Sequence, residues 1–167
     1  MATQLKNLST YDPDAVPDGR KLKIGIIVSE WNREVTKELE NGARETLLAH
    51  GVKTDNLLIH SVPGSFELPL GAQFLLEDKD LDAVILLGCV IQGETRHFEF
   101  ICQAVSQGCM NVGLEYHTPV IFGILTTDTL DQAMDRAGGK HGNKGTEAAI
   151  TALKMAALQK KLSSLLH

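Results

Sequence analysis

The stretch LDAVILLGCVIQGETRHF, Leu81 to Phe98, decides the fold. Its first eight residues are rich in Val, Ile and Leu without polar alternation, the pattern of a strand covered on both faces in a parallel sheet. The apolar run reads as ending near Cys89, where a polar turn takes over and carries His97. In open α/β sheets ligands bind at the carboxyl ends of the strands, so this turn is a candidate site. The amides of Gly93, Glu94 and Thr95, read as the start of the next helix, would suit an anion. His97 beside them is a candidate proton shuttle, because an unperturbed imidazole titrates near neutral pH. The competing reading is a solvated histidine at a helix start.

Outward from this stretch, the same alternation recurs. Strands are expected at Leu22 to Val28, Leu57 to Val62, Leu81 to Cys89 and Pro119 to Thr126. Between them, Val35, Leu39, Ala43 and Leu47 recur every four residues and predict a helix from about Arg33 to His50, closed by Gly51. Further helices are expected from Leu68 to Glu77, from His97 to Tyr116, from a capping box at Thr129 and Gln132 to near Ala137, and from Thr146 to Leu166. Strand followed by helix throughout implies a parallel sheet with helices on both faces, joined by right-handed crossovers. All strand ends then share one rim, bringing together Trp31, Ser65 to Glu67, Cys89 to His97 and Thr126 to Thr127. Residues 1–20 read as an extended arm, because Pro13, Pro17 and Gly19 forbid regular helix. Residues 21–167 read as one domain.

Composition narrows the function. A formal charge of -5 and no Lys/Arg block give no reason to expect nucleic-acid or membrane-surface binding. No segment approaches the roughly 20 apolar residues of a membrane span. Met1 to Gly19 has no apolar core and does not read as a secretion leader, so the cytoplasm is the expected location. Cys89, Cys102 and Cys109 form no CxxC pair and read as buried thiols. No His or Cys has metal-ligand spacing with another, and no metal is expected.

Other candidates each have two readings. Trp31, the only tryptophan, is a stacking platform for a planar ligand or a cover for the sheet end. Phe122, within a strand, reads as core. Glu67 could hold a polyol or a salt bridge. Arg136, Lys140 and Lys144 flank the glycine loop Gly138 to Gly145 and hold an anion, or supply charge favourable at a helix C-terminus. The loop is not a Walker loop, because Gly145 follows Lys144 and a helix precedes it. Nor is Ser65 a nucleophile elbow, with Pro63 and Glu67 where that motif needs glycine.

Five segments in order carry a resemblance: WN at Trp31 and Asn32, PGSFELP at Pro63 to Pro69, G-x-V-I-x-G-x-T-x-H at Gly88 to His97, VIFGILTTD at Val120 to Asp128, and RAGGKHGNKG at Arg136 to Gly145. The chain resembles the 6,7-dimethyl-8-ribityllumazine synthase family from about Lys23 to the last helix. The resemblance implies a three-layer, flavodoxin-like α/β/α fold and a transferase of riboflavin biosynthesis. Its reaction condenses 5-amino-6-(D-ribitylamino)uracil with 3,4-dihydroxy-2-butanone 4-phosphate, without cofactor or metal. It further implies His97 as general acid/base, Trp31 stacked on the pyrimidine, and Asn32, Ser65, Phe66 and Glu67 around the ribityl chain. Val90 and Ile91 would meet the pyrimidine through backbone, and Glu94 and Thr95 would bind phosphate.

Phe122, Arg136 and Lys144 match residues that the family supplies from an adjacent subunit, with Arg136 on phosphate, Lys144 near the pyrimidine and Glu147 partnering the arginine. Pentamers are implied, and the compact glycine loop resembles that of members forming a shell of twelve pentamers, with riboflavin synthase as a further partner. The N-terminal arm is expected to add a strand to a neighbouring subunit. The chain departs from the family pattern at Cys89, Gln92, Glu94 and Arg96, and the Glu94 carboxylate must turn away if its amide is to face phosphate. A binding module, a receiver domain and a simple container are the rival readings. The receiver is disfavoured because the third strand ends without an acidic cluster.

Overall fold

In the computed structural model, which describes residue 7 and residues 9–165, strands β1 (Ile24–Ser29), β2 (Leu57–Val62), β3 (Ala83–Ile91) and β4 (Val120–Thr127) form a parallel sheet in the order β2-β1-β3-β4. The inner strands β1 and β3 are buried almost throughout, which is why they read as unbroken apolar runs. Helices α1 (Arg33–Ala49), α2 (Leu68–Asp78), α3 (His97–Glu115), α4 (Leu130–Asp135) and α5 (Lys144–Ser164) cover the sheet. On one face, Val35, Leu39 and Leu47 of α1 and Ala152 and Leu153 of α5 pack on Ile26, Ile85 and Leu87. On the other, Leu68 and Leu75 of α2 and Val105 and Val112 of α3 pack on Ile27, Val84 and Leu86. This is the expected three-layer, flavodoxin-like arrangement.

That layering positions the site. β1 leads into α1 on one face, while its neighbour β3 leads into α3 on the other. The chain leaves two adjacent strand ends in opposite directions, and a crevice opens between them.

Several expectations need correction. β3 does not end near Cys89 but continues to Ile91, because β4 runs beside it and pairs Ile91 with Thr127. The third helix begins at His97, as expected, but Gly93 to Thr95 form a loop ahead of it and not its first residues. Phe122 is not core: β4 is an edge strand, and the ring is 37% exposed. The capping box is split, since Thr129 Oγ1 accepts the Gln132 N–H but the Gln132 side chain accepts from Asp128. The glycine loop contains an unforeseen hairpin, β5 (Ala137–Gly139) with β6 (Gly142–Asn143). The last helix starts at Lys144 because Asn143 Oδ1 caps it, accepting the Gly145 N–H at 2.8 Å.

The described part of the arm rests on its own chain. Asp12 caps a single 3₁₀ turn at Pro13–Ala15. Ser9 Oγ donates to the Asn143 carbonyl at 3.0 Å, and the Tyr11 hydroxyl lies 3.2 Å from His50 Nε2.

Candidate active site

A cavity of about 780 Å³ occupies the crevice between the β1 and β3 ends. Its wall comes from four segments: Trp31 and Asn32 after β1, Ser65 to Glu67 after β2, Val90 and Ile91 at the end of β3, and Gly93, Thr95 and His97 leading into α3. Thr126 and Thr127, expected at the same rim, pair with Val90 and Ile91 but do not line it.

Two large aromatics stand uncovered at this concave surface: Trp31 is 73% exposed and Phe66 56%. An aromatic that packs nothing in its own core is suited to stacking on a planar ligand. Ser65 is buried, and its Oγ has no hydrogen-bond partner among the described residues. It sits directly over Gly88, where a Cβ would stand 2.6 Å from that oxygen. Glycine at 88 is what lets β3 pass beneath the Ser65 turn. One oxygen of Glu67 is committed, accepting the Gly64 N–H at 3.0 Å, and this hydrogen bond holds the carboxylate at the cavity wall.

The loop into α3 is rich in free donors. The amides of Gly93, Glu94, Thr95 and Arg96 make no hydrogen bond to another described residue, while Thr95 Oγ1 accepts the His97 N–H at 3.4 Å. Free amides ahead of a 19-residue helix, at the positive end of its dipole, favour an anion. Gly93 and Thr95 face the cavity, whereas Glu94 is exposed and does not line it. His97 is exposed at the same end of the cavity, where its imidazole can exchange protons with solvent and with a bound ligand.

Cys89 also borders the cavity, but burial, with Glu34 nearby, pushes its thiol up to about 12. A thiol that keeps its proton at neutral pH is no nucleophile, so Cys89 adds shape rather than chemistry. Phe98 and Ile101 of α3 line the cavity as well and escaped the sequence reading. Their signal is helical spacing: Ile101 lies four residues after His97, and such pairs share a helix face.

Phe122, Arg136 and Lys144 are not on this cavity. Arg136 caps the C-terminal end of α4, and Lys144 opens α5. Glu147 holds both, its two oxygens 3.1 Å from Arg136 Nη2 and 3.2 Å from Lys144 Nζ. Lys140 pairs instead with Asp135 at 2.8 Å. Two cations on one carboxylate leave a net positive charge, and the buried Arg136 Nη1 has no partner among the described residues. Gly145 serves packing: a Cβ there would collide with the Leu39 carbonyl of α1.

A cavity at a β1/β3 switch point, lined by exposed aromatics, a loop of free amides and a histidine, defines a parallel α/β protein of the doubly wound class with a candidate small-molecule site. Residues 21–160 match the family model of 6,7-dimethyl-8-ribityllumazine synthase, and the chain belongs to that family. Proteins named 6,7-dimethyl-8-ribityllumazine synthase are similar over nearly their whole length. The one from Porphyromonas gingivalis is 55% identical over 96% of this chain and 99% of its own. That from Cytophaga hutchinsonii is 59% identical over 94% and 98%, and that from Parabacteroides distasonis 56% over 93% and 97%.

Proposed function

We propose that the chain condenses 5-amino-6-(D-ribitylamino)uracil with 3,4-dihydroxy-2-butanone 4-phosphate to give 6,7-dimethyl-8-ribityllumazine, phosphate and water, and that it does so in the β1/β3 cavity. The observation that carries the reading is the convergence of exposed aromatics, free amides and His97 on one cavity in a chain of this family. The pathway runs through an imine, phosphate elimination and ring closure. Each step needs proton transfer and a place for negative charge, and none needs an electron carrier. Trp31 stacks on the pyrimidine, which Val90 and Ile91 meet through backbone. Asn32, Ser65, Phe66 and Glu67 surround the ribityl chain. The loop at Glu94 and Thr95 receives the phosphate through its amides, and His97 moves the protons. Holding two substrates side by side supplies much of the acceleration before any single group acts.

The site is completed by a neighbour. Phe122, Arg136 and Lys144 lie off the cavity of their own chain, and two cations sharing the single carboxylate of Glu147 leave positive charge for a neighbour's phosphate. Exposed Phe100, Met110 and Leu114 on α3 support burial by further copies. The assembly is a pentamer, twelve of which form an icosahedral shell with riboflavin synthase as a partner in the cytoplasm. Residues 21–167 act as one domain, and the expectation that the arm adds a strand to a neighbouring subunit falls in part on residues 1–6 and 8, which lie outside the described residues, while Ser9 and Tyr11 rest on their own chain. Sedimentation that finds only free pentamers would overturn the shell.

The decisive assay is absorbance at the lumazine band with purified protein and both substrates. The parent chain turns over, and His97→Ala is slower by about a hundredfold or more. Absence of lumazine formation by the parent overturns the function, and equal rates overturn the role of His97.

A further inference from the structure

Asn32 breaks two local habits at once. It stands at the N-cap of α1, where an asparagine side chain ordinarily accepts a helix amide, yet it makes no such cap. Its backbone is left-handed, at φ 56° and ψ 49°, a conformation that costs most side chains about 1–2 kcal/mol. The carboxamide instead reaches sideways across the sheet, and Nδ2 donates to the Cys89 carbonyl at 3.0 Å.

The place of this hydrogen bond is informative. Backbone pairing of β1 with β3 extends only to Val28 opposite Leu87, since beyond Ser29 the chain turns away toward α1. Cys89 lies two residues past the last pair, at the point where β3 has lost its neighbour on that side. The Asn32 carboxamide therefore replaces a missing strand. It pins the turn that carries Trp31 to the strand end that presents Val90 and Ile91, across the mouth of the cavity.

We propose that Asn32 is a positioning residue whose carboxamide fixes the distance between the Trp31 ring and the Val90–Ile91 backbone. The carboxamide nitrogen is engaged by the Cys89 carbonyl, which leaves Oδ1 for the ribityl chain. This inference rests on the cavity being the pyrimidine site.

Trp31 is the only tryptophan, so its fluorescence reports the turn directly, with or without substrate. The test compares the assembled parent enzyme with Asn32→Gly, which keeps the left-handed backbone and loses the hydrogen bond, and with Asn32→Ala, which loses both. In ligand-free Asn32→Gly the Trp31 anisotropy falls and acrylamide quenching rises. The KM for the ribitylaminouracil rises about tenfold, as loosening of one positioning contact allows. The KM for the butanone phosphate changes less than twofold. Asn32→Ala shows the same spectroscopic change with a lower melting temperature. Unchanged anisotropy and quenching in Asn32→Gly overturn the clamp, whatever the kinetics. An altered Trp31 signal with both KM values and kcat at parental levels overturns the positioning role and places the fault in the assignment of the cavity. A raised KM with an unaltered ligand-free Trp31 signal also overturns it, in favour of direct contact with substrate.

Discussion

Around the cavity, Trp31, Phe66, Val90 and His97 arrive from four separate segments of one chain and meet without help, whereas Phe122 on β4, Arg136 at the end of α4 and Lys144 at the start of α5 stay off it. The first group is positioned by topology: adjacent strands send their helices to opposite faces, and the crevice follows. In the second, Phe122 is placed by β4 and the two cations by electrostatics, since Glu147 holds both Arg136 and Lys144. One region is a container with little charge and the other is charge with no container. Each is incomplete in the way the other supplies.

The strongest way to break this pairing is complementation between variants. His97→Ala and Arg136→Ala each lose about a hundredfold or more in turnover, because proton transfer and anion stabilisation are separately required. Unfolded and reassembled together in equal amounts, they recover about a quarter of parental activity if each site takes His97 from one subunit and Arg136 from the next. No recovery in well-formed mixed assemblies means that the two groups act within one chain or not in the same reaction.

The strands of the first region and their shared rim were largely legible in the sequence, because strand burial and direction follow from local apolar runs and chain order, whereas the β1/β3 switch point needs the strand order that the structure supplies. β3 was placed correctly yet stopped too early, since its last residues owe their extended form to β4 and not to their own composition. Phe98 and Ile101 went unseen because a residue just inside an amphipathic helix looks the same whether it faces core or cavity. Phe122 was misread as core for a related reason, because nothing in VIFGILT shows that β4 lies at an edge. The glycine loop was harder still. Its hairpin and the cap at Asn143 depend on contacts with α1, including Asn143 Nδ2 donating to the Glu38 carbonyl at 2.8 Å. The Glu147 pairing with Arg136 came from family likeness, and its sharing with Lys144 from the structure alone.

Two glycines sharpen the contrast between the regions. Gly145→Ala forces a Cβ into the Leu39 carbonyl, a backbone group that can move only with α1, and should destabilise by about 3 kcal/mol or prevent assembly. Gly88→Ala meets Ser65 Oγ and Leu68 Cδ1, at 2.6 and 2.8 Å, which are side-chain atoms with some room to turn. Its stability cost is smaller, about 1–2 kcal/mol, but it displaces the Ser65 turn and should raise the KM for the ribitylaminouracil. Denaturant unfolding beside steady-state kinetics checks both. The reverse ranking would mean that α1 and α5 tolerate separation better than the cavity wall does.

Glu147→Gln tests the charged region alone. The side chains of Arg136 and Glu147 are 16% and 19% exposed, so the pair is partly shielded and its loss should cost about 1–2 kcal/mol after allowance for solvent. The KM for butanone phosphate should shift severalfold and that for the pyrimidine less, because Glu147 holds Arg136, on the phosphate, across from α4, whereas Lys144, near the pyrimidine, stays on Glu147's own helix without that contact. Equal shifts in both would tie Glu147 to the cavity and blur the division between the two regions.

The smallest effect concerns the cavity's thiol. Burial pushes both Cys89 and Cys109 up to about 12 from the ordinary 9.0, so both stay protonated in the native chain while an unfolded chain would release their protons earlier. The native state then binds more protons than the unfolded state between those values. Their contribution to stability is full below about pH 9 and declines as pH rises toward 12. Between pH 6 and 8 the rate should carry no thiol inflection, and Cys89→Ala should change kcat by less than about twofold, since a neutral thiol supplies neither base nor nucleophile. Denaturant midpoints measured from pH 8 to pH 10.5 should fall less steeply in Cys89→Ala/Cys109→Ala than in the parent. A parental slope in that double variant would show that the alkaline loss arises elsewhere, and a large drop in kcat for Cys89→Ala would make this residue part of the chemistry and not only of the wall.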